Sequence, residues 1–263
     1  MHWLFLLIYL LTGCFVGCFS GLLGVGGGLV VVPILYWLFK IQNLSPHYNM
    51  HIAIASSLAV MIVTSIAATY SHSKRKGVIW VVFAWIGLGM IFGGITGPLI
   101  SSKLSSRSLE LAFGIIEVII ALSLFLYKRD LKRVVKPNIR PVFLILIGAL
   151  SALIGSMLGI GGGIIIVPFL IFAGFSSIKA VGTSAATTML TAIIGTGCQL
   201  FSSYHLSIPQ SIGFIYLPAT LALALGSLVF TPLGVRLAHR LSESYLKKIF
   251  IFVLVVFGIT MII

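Results

Sequence analysis

Polar residues in this chain are confined to short interruptions between long apolar stretches. Three such stretches run roughly over 49–71, 78–100 and 108–127, and three more over 178–201, 210–235 and 245–263. Each is long enough to cross about 30 Å of hydrocarbon at about 1.5 Å per residue, so each predicts a membrane-spanning helix. Ahead of each triplet stands an apolar segment broken by glycine. In the first, Trp3 to Leu23 is followed by Gly24-Val25-Gly26-Gly27-Gly28, four apolar residues and Pro33. In the second, Pro141 to Leu158 is followed by Gly159-Ile160-Gly161-Gly162-Gly163, four apolar residues and Pro168. Such a cluster breaks a helix where lipid offers the freed backbone no partners, and so predicts a segment lined by protein or water. Paired breaks in corresponding halves are the sequence mark of a secondary transporter.

The repeat extends well past the glycines. Ala55-Ser56-Ser57 pairs with Gly182-Thr183-Ser184, and Thr64 with Thr191. Further along, Gly89 pairs with Gly226, Gly97 with Gly234 and Lys103 with Arg240. The expected organisation is an N-terminal transmembrane repeat over 1–127, a basic cytoplasmic linker over 128–140 and a C-terminal transmembrane repeat over 141–263. The fold class is all-α, with each repeat a Gly-broken hairpin, spanning or re-entrant, plus three transmembrane helices.

Composition agrees with a polytopic membrane protein: 59% hydrophobic residues and only 8% charged, with a mean hydropathy of +1.20. A net charge of +13 would suggest nucleic acid in a soluble protein. Here the Lys and Arg residues cluster between apolar segments, where they orient the chain against the cytoplasmic leaflet, and nucleic-acid binding is excluded.

Charge also bears on whether each broken segment crosses once or doubles back. A single crossing divides the 17 Lys and Arg residues almost evenly between the two sides. A hairpin inverts one half relative to the other. One side then holds Lys74, Arg75, Lys76, the linker, Lys179, Arg236, Arg240, Lys247 and Lys248, and leaves Lys40, Lys103 and Arg107 opposite. That bias favours two inverted repeats with both termini outside.

The doubled GxGGG-x4-P element, with the small polar segment after it, resembles the TauE/SafE family of membrane proteins, often called sulfite exporters. The resemblance covers both halves. It implies a permease for a small inorganic or organic anion, such as sulfite, an organosulfonate or a related sulfur oxyanion, in a bacterial plasma (inner) membrane.

The residues point to compatible chemistry. A glycine break exposes backbone N–H groups and sets a helix N-terminus near Leu29 or Ile164, an end that attracts anions. Gly26, Gly27, Gly28, Gly161, Gly162 and Gly163 are therefore candidate substrate-binding positions, with close helix packing as the structural alternative. Ser56, Ser57, Thr183 and Ser184 offer neutral donors to the same anion, although such hydroxyls also bond back to helix carbonyls. Glu117 is a carboxylate in the middle of an apolar segment, suited to carrying a proton or to bonding between helices. Its repeat counterpart is Leu254, so either role is asymmetric.

No catalytic group, metal-ligand spacing or cofactor motif is evident, and there is no ATP-binding motif, so an enzyme is not expected. His47, His51, His205 and His239 are expected in loops and His72 near a segment end. Cys14 and Cys18, one helical turn apart, support a rival reading as a membrane thiol redox protein. A non-transporting scaffold is the third. Trp3, Trp37, Trp80 and Trp85 fit interfacial anchoring. The expected partners are the anion and the lipid bilayer, with homo-oligomerisation left open.

Overall fold

The computed structural model describes residues 2–126, 139–203 and 208–263. In chain order the helices are α1 (His2–Leu23), α2 (Gly28–Ile41), α3 (Asn49–Lys74), α4 (Trp80–Ser101), α5 (Ser106–Leu126), α6 (Pro141–Leu158), α7 (Gly163–Phe172), α8 (Ser177–Ser203), α9 (Leu217–Ala238) and α10 (Glu243–Ile262). Among the described residues, eight of these are long and apolar enough to cross a membrane. The exceptions are α2 and α7, of 14 and 10 residues, which span only about 21 and 15 Å at 1.5 Å per residue. Each broken segment is thus one full helix, a glycine turn and a short arm. The protein is an all-α, multi-pass integral membrane protein whose outer surface is apolar: Trp3, Phe92 and Phe125 are 85%, 71% and 69% exposed.

The stretch expected at 210–235 opens differently. Residues 211–216 form a small antiparallel ribbon, β1 (Ser211–Ile212) and β2 (Ile215–Tyr216), with Ser211 opposite Tyr216. Gly213 supplies a left-handed φ of 58° at its turn, and Pro218 starts α9 within its first turn. Residues 127–138, most of the expected linker, and His205 lie outside the described residues.

Two helix pairs tie the halves together. Gly13, Gly17 and Gly21 of α1 lie against Leu223, Ser227 and Thr231 of α9, and Gly89, Gly93 and Gly97 of α4 against Ile145, Ala149 and Leu153 of α6. Numbers rise together along both ladders, so each pair runs parallel. A Cβ at any of these glycines would meet the partner's backbone, and its absence lets the helices close at van der Waals distance.

Contacts also trace the chain direction. The α2 arm doubles back, since its C-cap Gln42 donates to the Tyr9 hydroxyl on the first half of α1. The α3 helix then follows α1 in the same direction, because His72 near its end donates from Nε2 to the carbonyl of Gly21, near the end of α1, at 3.1 Å. Two ends of the bundle result. At one, where α1 begins and α10 finishes, Ser106 Oγ donates to His47 O at 2.7 Å and Arg107 Nη2 to Ile262 O at 3.5 Å. At the other, Leu22, Leu124, Ile171, Ser177 and Lys247 gather around a small apolar cavity. We call these the terminal end and the basic end.

Candidate functional site

Both glycine turns lie at the middle of the bundle, and every residue from Gly24 to Gly28 and from Gly159 to Gly163 is buried. Matched backbone torsions make the turns. Gly24 and Gly26 have φ of 68° and 75°, and their counterparts Gly159 and Gly161 have 72° and 76°, a left-handed region in which side-chain-bearing residues are strained. The match ends one residue on: Gly27 has φ 87° whereas Gly162 is right-handed at −68°.

The turns touch one another. A Cβ on Gly28 would collide with the carbonyl of Gly159, and one on Gly163 would lie 2.8 Å from Val25 Cα. Helical hydrogen bonding resumes where Val30 and Val31 donate to Gly27 O, and where Ile165 and Ile166 donate to Gly162 O. The N–H groups ahead of these head α2 and α7 as donors outside the helical ladder.

The four hydroxyls singled out from the sequence join the halves crosswise. Ser57 Oγ donates to Gly159 O at 2.8 Å, and its counterpart Ser184 donates to Gly24 O at 2.9 Å. Ser56 Oγ accepts the N–H of Tyr216 at 3.0 Å, and Thr183 Oγ1 accepts that of Ile79 at 2.9 Å. Ser57 and Ser184 thus spend their single proton on backbone, while Ser56 and Thr183 keep theirs. Thr64 donates to Gly26 O at 2.8 Å. Its counterpart Thr191 instead donates to Thr187 O at 3.2 Å, and Gly162 O is met by Ser151 Oγ.

Between the turns sit two residues that the sequence reading passed over, Thr188 and Met61. Thr188 Oγ1 is 2.9 Å from where a Gly163 Cβ would stand, and its methyl group borders Gly26 and Gly161. Met61 Sδ borders Gly26, Gly28 and Gly161. The two are counterparts at the spacing that pairs Ser57 with Ser184, which is the signal that could have found them. Thr188 is fully buried, and its hydroxyl has no hydrogen-bond partner among the described residues. Such a group is costly to leave unmet, and it is aimed at the place where the two turns meet.

Glu117 lies apart from this centre. It is fully buried on α5 against Gly258 of α10, and both carboxyl oxygens lack a partner among the described residues.

The histidine placement corrects the sequence reading at His51, which is helical rather than in a loop, and His72 stands near the end of α3 as expected. His51 and His72 are helical and buried, 4% and 0% exposed, because each ring donates to a carbonyl near the end of another helix, Ser101 O and Gly21 O. His239, just past α9, stacks 5.4 Å from His72, and burial together with the charge of Arg75 holds it below the usual imidazole range. Cys14 and Cys18 are half-buried on α1 and form no disulfide with one another, and no group of three or more potential metal ligands occurs among the described residues.

Comparison with known proteins agrees with this architecture. The family described as "Sulfite exporter TauE/SafE" matches residues 9–261. A "Probable membrane transporter protein" of Haemophilus influenzae is 32% identical over 98% of this chain and 98% of its own length. Relatives described in the same terms occur in Methanocaldococcus jannaschii, at 28% identity over 98% and 96% of the two chains, and in Bacillus subtilis, at 27% over 95% of each. No solved structure matches at a significant level. From residue 9 to residue 261, glycine turns and spanning helices alike, the chain belongs to the TauE/SafE sulfite exporter family of membrane transporters.

Proposed function

We propose that this protein is a secondary transporter of a small sulfur oxyanion, sulfite or an organosulfonate, working by alternating access around the paired glycine turns. The observation that carries the reading is the unpartnered Thr188 hydroxyl between two touching turns whose helix N-termini meet at mid-bundle. Backbone N–H groups and neutral hydroxyls hold an anion without a fixed countercharge, loosely enough for release. The description of the family as a sulfite exporter supports the choice of anion.

The two halves act as inverted repeats. Support comes from direction: α3 follows α1, whereas α6 follows α4, the helix that returns after α3. Because α1 pairs with α9 and α4 with α6, each packing unit contains both halves, and rocking one unit against the other would open the centre to alternate sides. Lys40, Lys103 and Arg107 are the Lys and Arg residues of the terminal end, and the other described ones belong to the basic end. We therefore assign the basic end to the cytoplasm and both termini to the outside of a bacterial plasma membrane. Glu117 is assigned the coupling proton, as a buried carboxyl with no hydrogen-bond partner among the described residues.

Flux into proteoliposomes tests the reading, with sulfite, sulfate, thiosulfate, methanesulfonate and acetate offered with and without a pH gradient. Saturable uptake of a sulfur anion, lost in Gly27→Leu or Gly162→Leu protein that still elutes as a folded monodisperse species, is expected. Equal leakage of every anion, or none under any gradient, contradicts it.

A further inference from the structure

At the terminal end, a cavity of about 620 Å³ is lined by Leu4, Phe5, Ile41, Gln42, Leu44, Pro209, Gln210 and Tyr216. A second of about 200 Å³ continues it, sharing Phe5, Gln42, Gln210 and Tyr216 and reaching Tyr9. The described lining carries no charged side chain. Its polar atoms form one connected set: Gln42 Nε2 donates to Tyr9 Oη and to Leu38 O, and Tyr216 Oη donates to Gln210 Oε1 at 3.4 Å. Tyr9 accepts in this set, which leaves its own O–H to donate, and the Gln210 amide contributes N–H donors. Gln210 also adopts a left-handed φ of 60°, a strained conformation for a side-chain-bearing residue and one that recurs at binding sites.

The fold does not require this polar set. By the spacings that pair Gly24 with Gly159 and Gly89 with Gly226, the counterparts of Tyr9 and Tyr216 are Leu144 and Ile79. Those two belong to an apolar cluster with Val82 and Ile86. The same packing position is therefore filled by hydrocarbon in one half and by hydroxyl-bearing rings in the other. The cavity is also joined to the centre, because Tyr216 lines it and donates its N–H to Ser56, next to the Ser57 that holds the second glycine turn.

We propose that this cavity is an outer recognition site, present on one side of the membrane only, for an anion with a compact oxyanion head and a short apolar body, of the alkylsulfonate class. The head takes the Tyr9 hydroxyl and the Gln210 amide, and the body lies against Phe5, Ile41 and Leu44. Neutral donors match an anion that must be released onward, and the apolar wall discriminates in favour of an organic chain over a bare inorganic ion. The proposal rests on the transport reading for its purpose, but not for its test.

The test is ligand protection of Leu44→Cys in protein whose Cys14, Cys18 and Cys198 are alanine, reconstituted in vesicles. Labelling by a membrane-impermeant maleimide is followed while methanesulfonate through butanesulfonate is added, and sulfonate flux is measured in parallel. Sulfonates are expected to slow labelling, at lower concentration as the chain lengthens. Tyr9→Phe or Gln210→Leu should each raise the half-protecting concentration about tenfold, the effect of losing one hydrogen bond to a charged ligand. Protection without flux upholds this site and overturns the transport reading. Flux with labelling that no sulfonate slows overturns the site and leaves the transport reading standing. Protection by detergent or lipid alone likewise overturns it and marks the cavity as a lipid seat.

Discussion

At the centre of the bundle Ser57 and Ser184 make the same hydrogen bond to the opposite half. At the terminal end Tyr9 and Tyr216 face a cavity where their counterparts, Leu144 and Ile79, fill an apolar cluster. Features shared by both halves build the packed centre: left-handed glycines, crossed serine bonds, and glycine ladders between parallel helices. Features found once are additions that packing does not demand. Thr188 opposite Met61 and Glu117 opposite Leu254 belong with Tyr9 in this second group. The asymmetric positions are thus where function can be tested apart from the packing that both halves share.

The shared part breaks where the two turns touch in Gly28→Ala. Its Cβ would enter the Gly159 carbonyl, and overpacking of this kind costs roughly 1–3 kcal/mol. The expected outcome is a lowered thermal midpoint in detergent, with Gly163→Ala close behind because Val25 backbone stands in its way. Ser57→Ala and Ser184→Ala sharpen the comparison. Each leaves a buried carbonyl without its donor, and matched losses of about 1 kcal/mol are expected by chemical denaturation. Unequal losses would mean that the crossed bonds are not equivalent.

Substitutions in the second group should divide function from stability. Glu117→Gln removes a titratable proton while keeping shape. Anion flux without a pH gradient should persist, and its stimulation by a gradient should disappear, as vesicle uptake at two external pH values would show. Cys14→Ala with Cys18→Ala has the smallest expected effect. Both cysteines are only partly buried, and flux and stability should stay near wild type, with changes under about 0.5 kcal/mol. Loss of flux there would revive the thiol redox reading.

Much of this was legible in the sequence because it depends on periodicity and on glycine. Spans, breaks and repeat spacing all follow from where apolar runs stop and from residues that alone tolerate a left-handed turn. Roles that depend on partners were not legible. Ser57 and Ser184 look like free donors until Gly159 O and Gly24 O are seen to take their protons. His51 looks like a loop residue until the end of α4 supplies the carbonyl of Ser101 to its buried ring. Thr188 is legible only by position, as the repeat counterpart of Met61 and at helical spacing with Ser184 and Thr191 on one face of α8, because its chemistry does not match that of Met61. The start of α9 was misplaced because Ile212, Phe214 and Ile215 are as apolar in the ribbon as they would be in a helix.

The most direct measurement of the central claim is sulfite flux through Thr188→Val protein, set beside its thermal stability. Valine keeps the shape and the methyl contacts and deletes only the hydroxyl that lacks a partner. Stability should be unchanged or slightly raised, since a buried unmet hydroxyl is removed, while flux should fall about tenfold through loss of one hydrogen bond to the anion. Wild-type flux in a protein of wild-type stability would contradict the account, because the transported anion would then not pass between the glycine turns at Thr188.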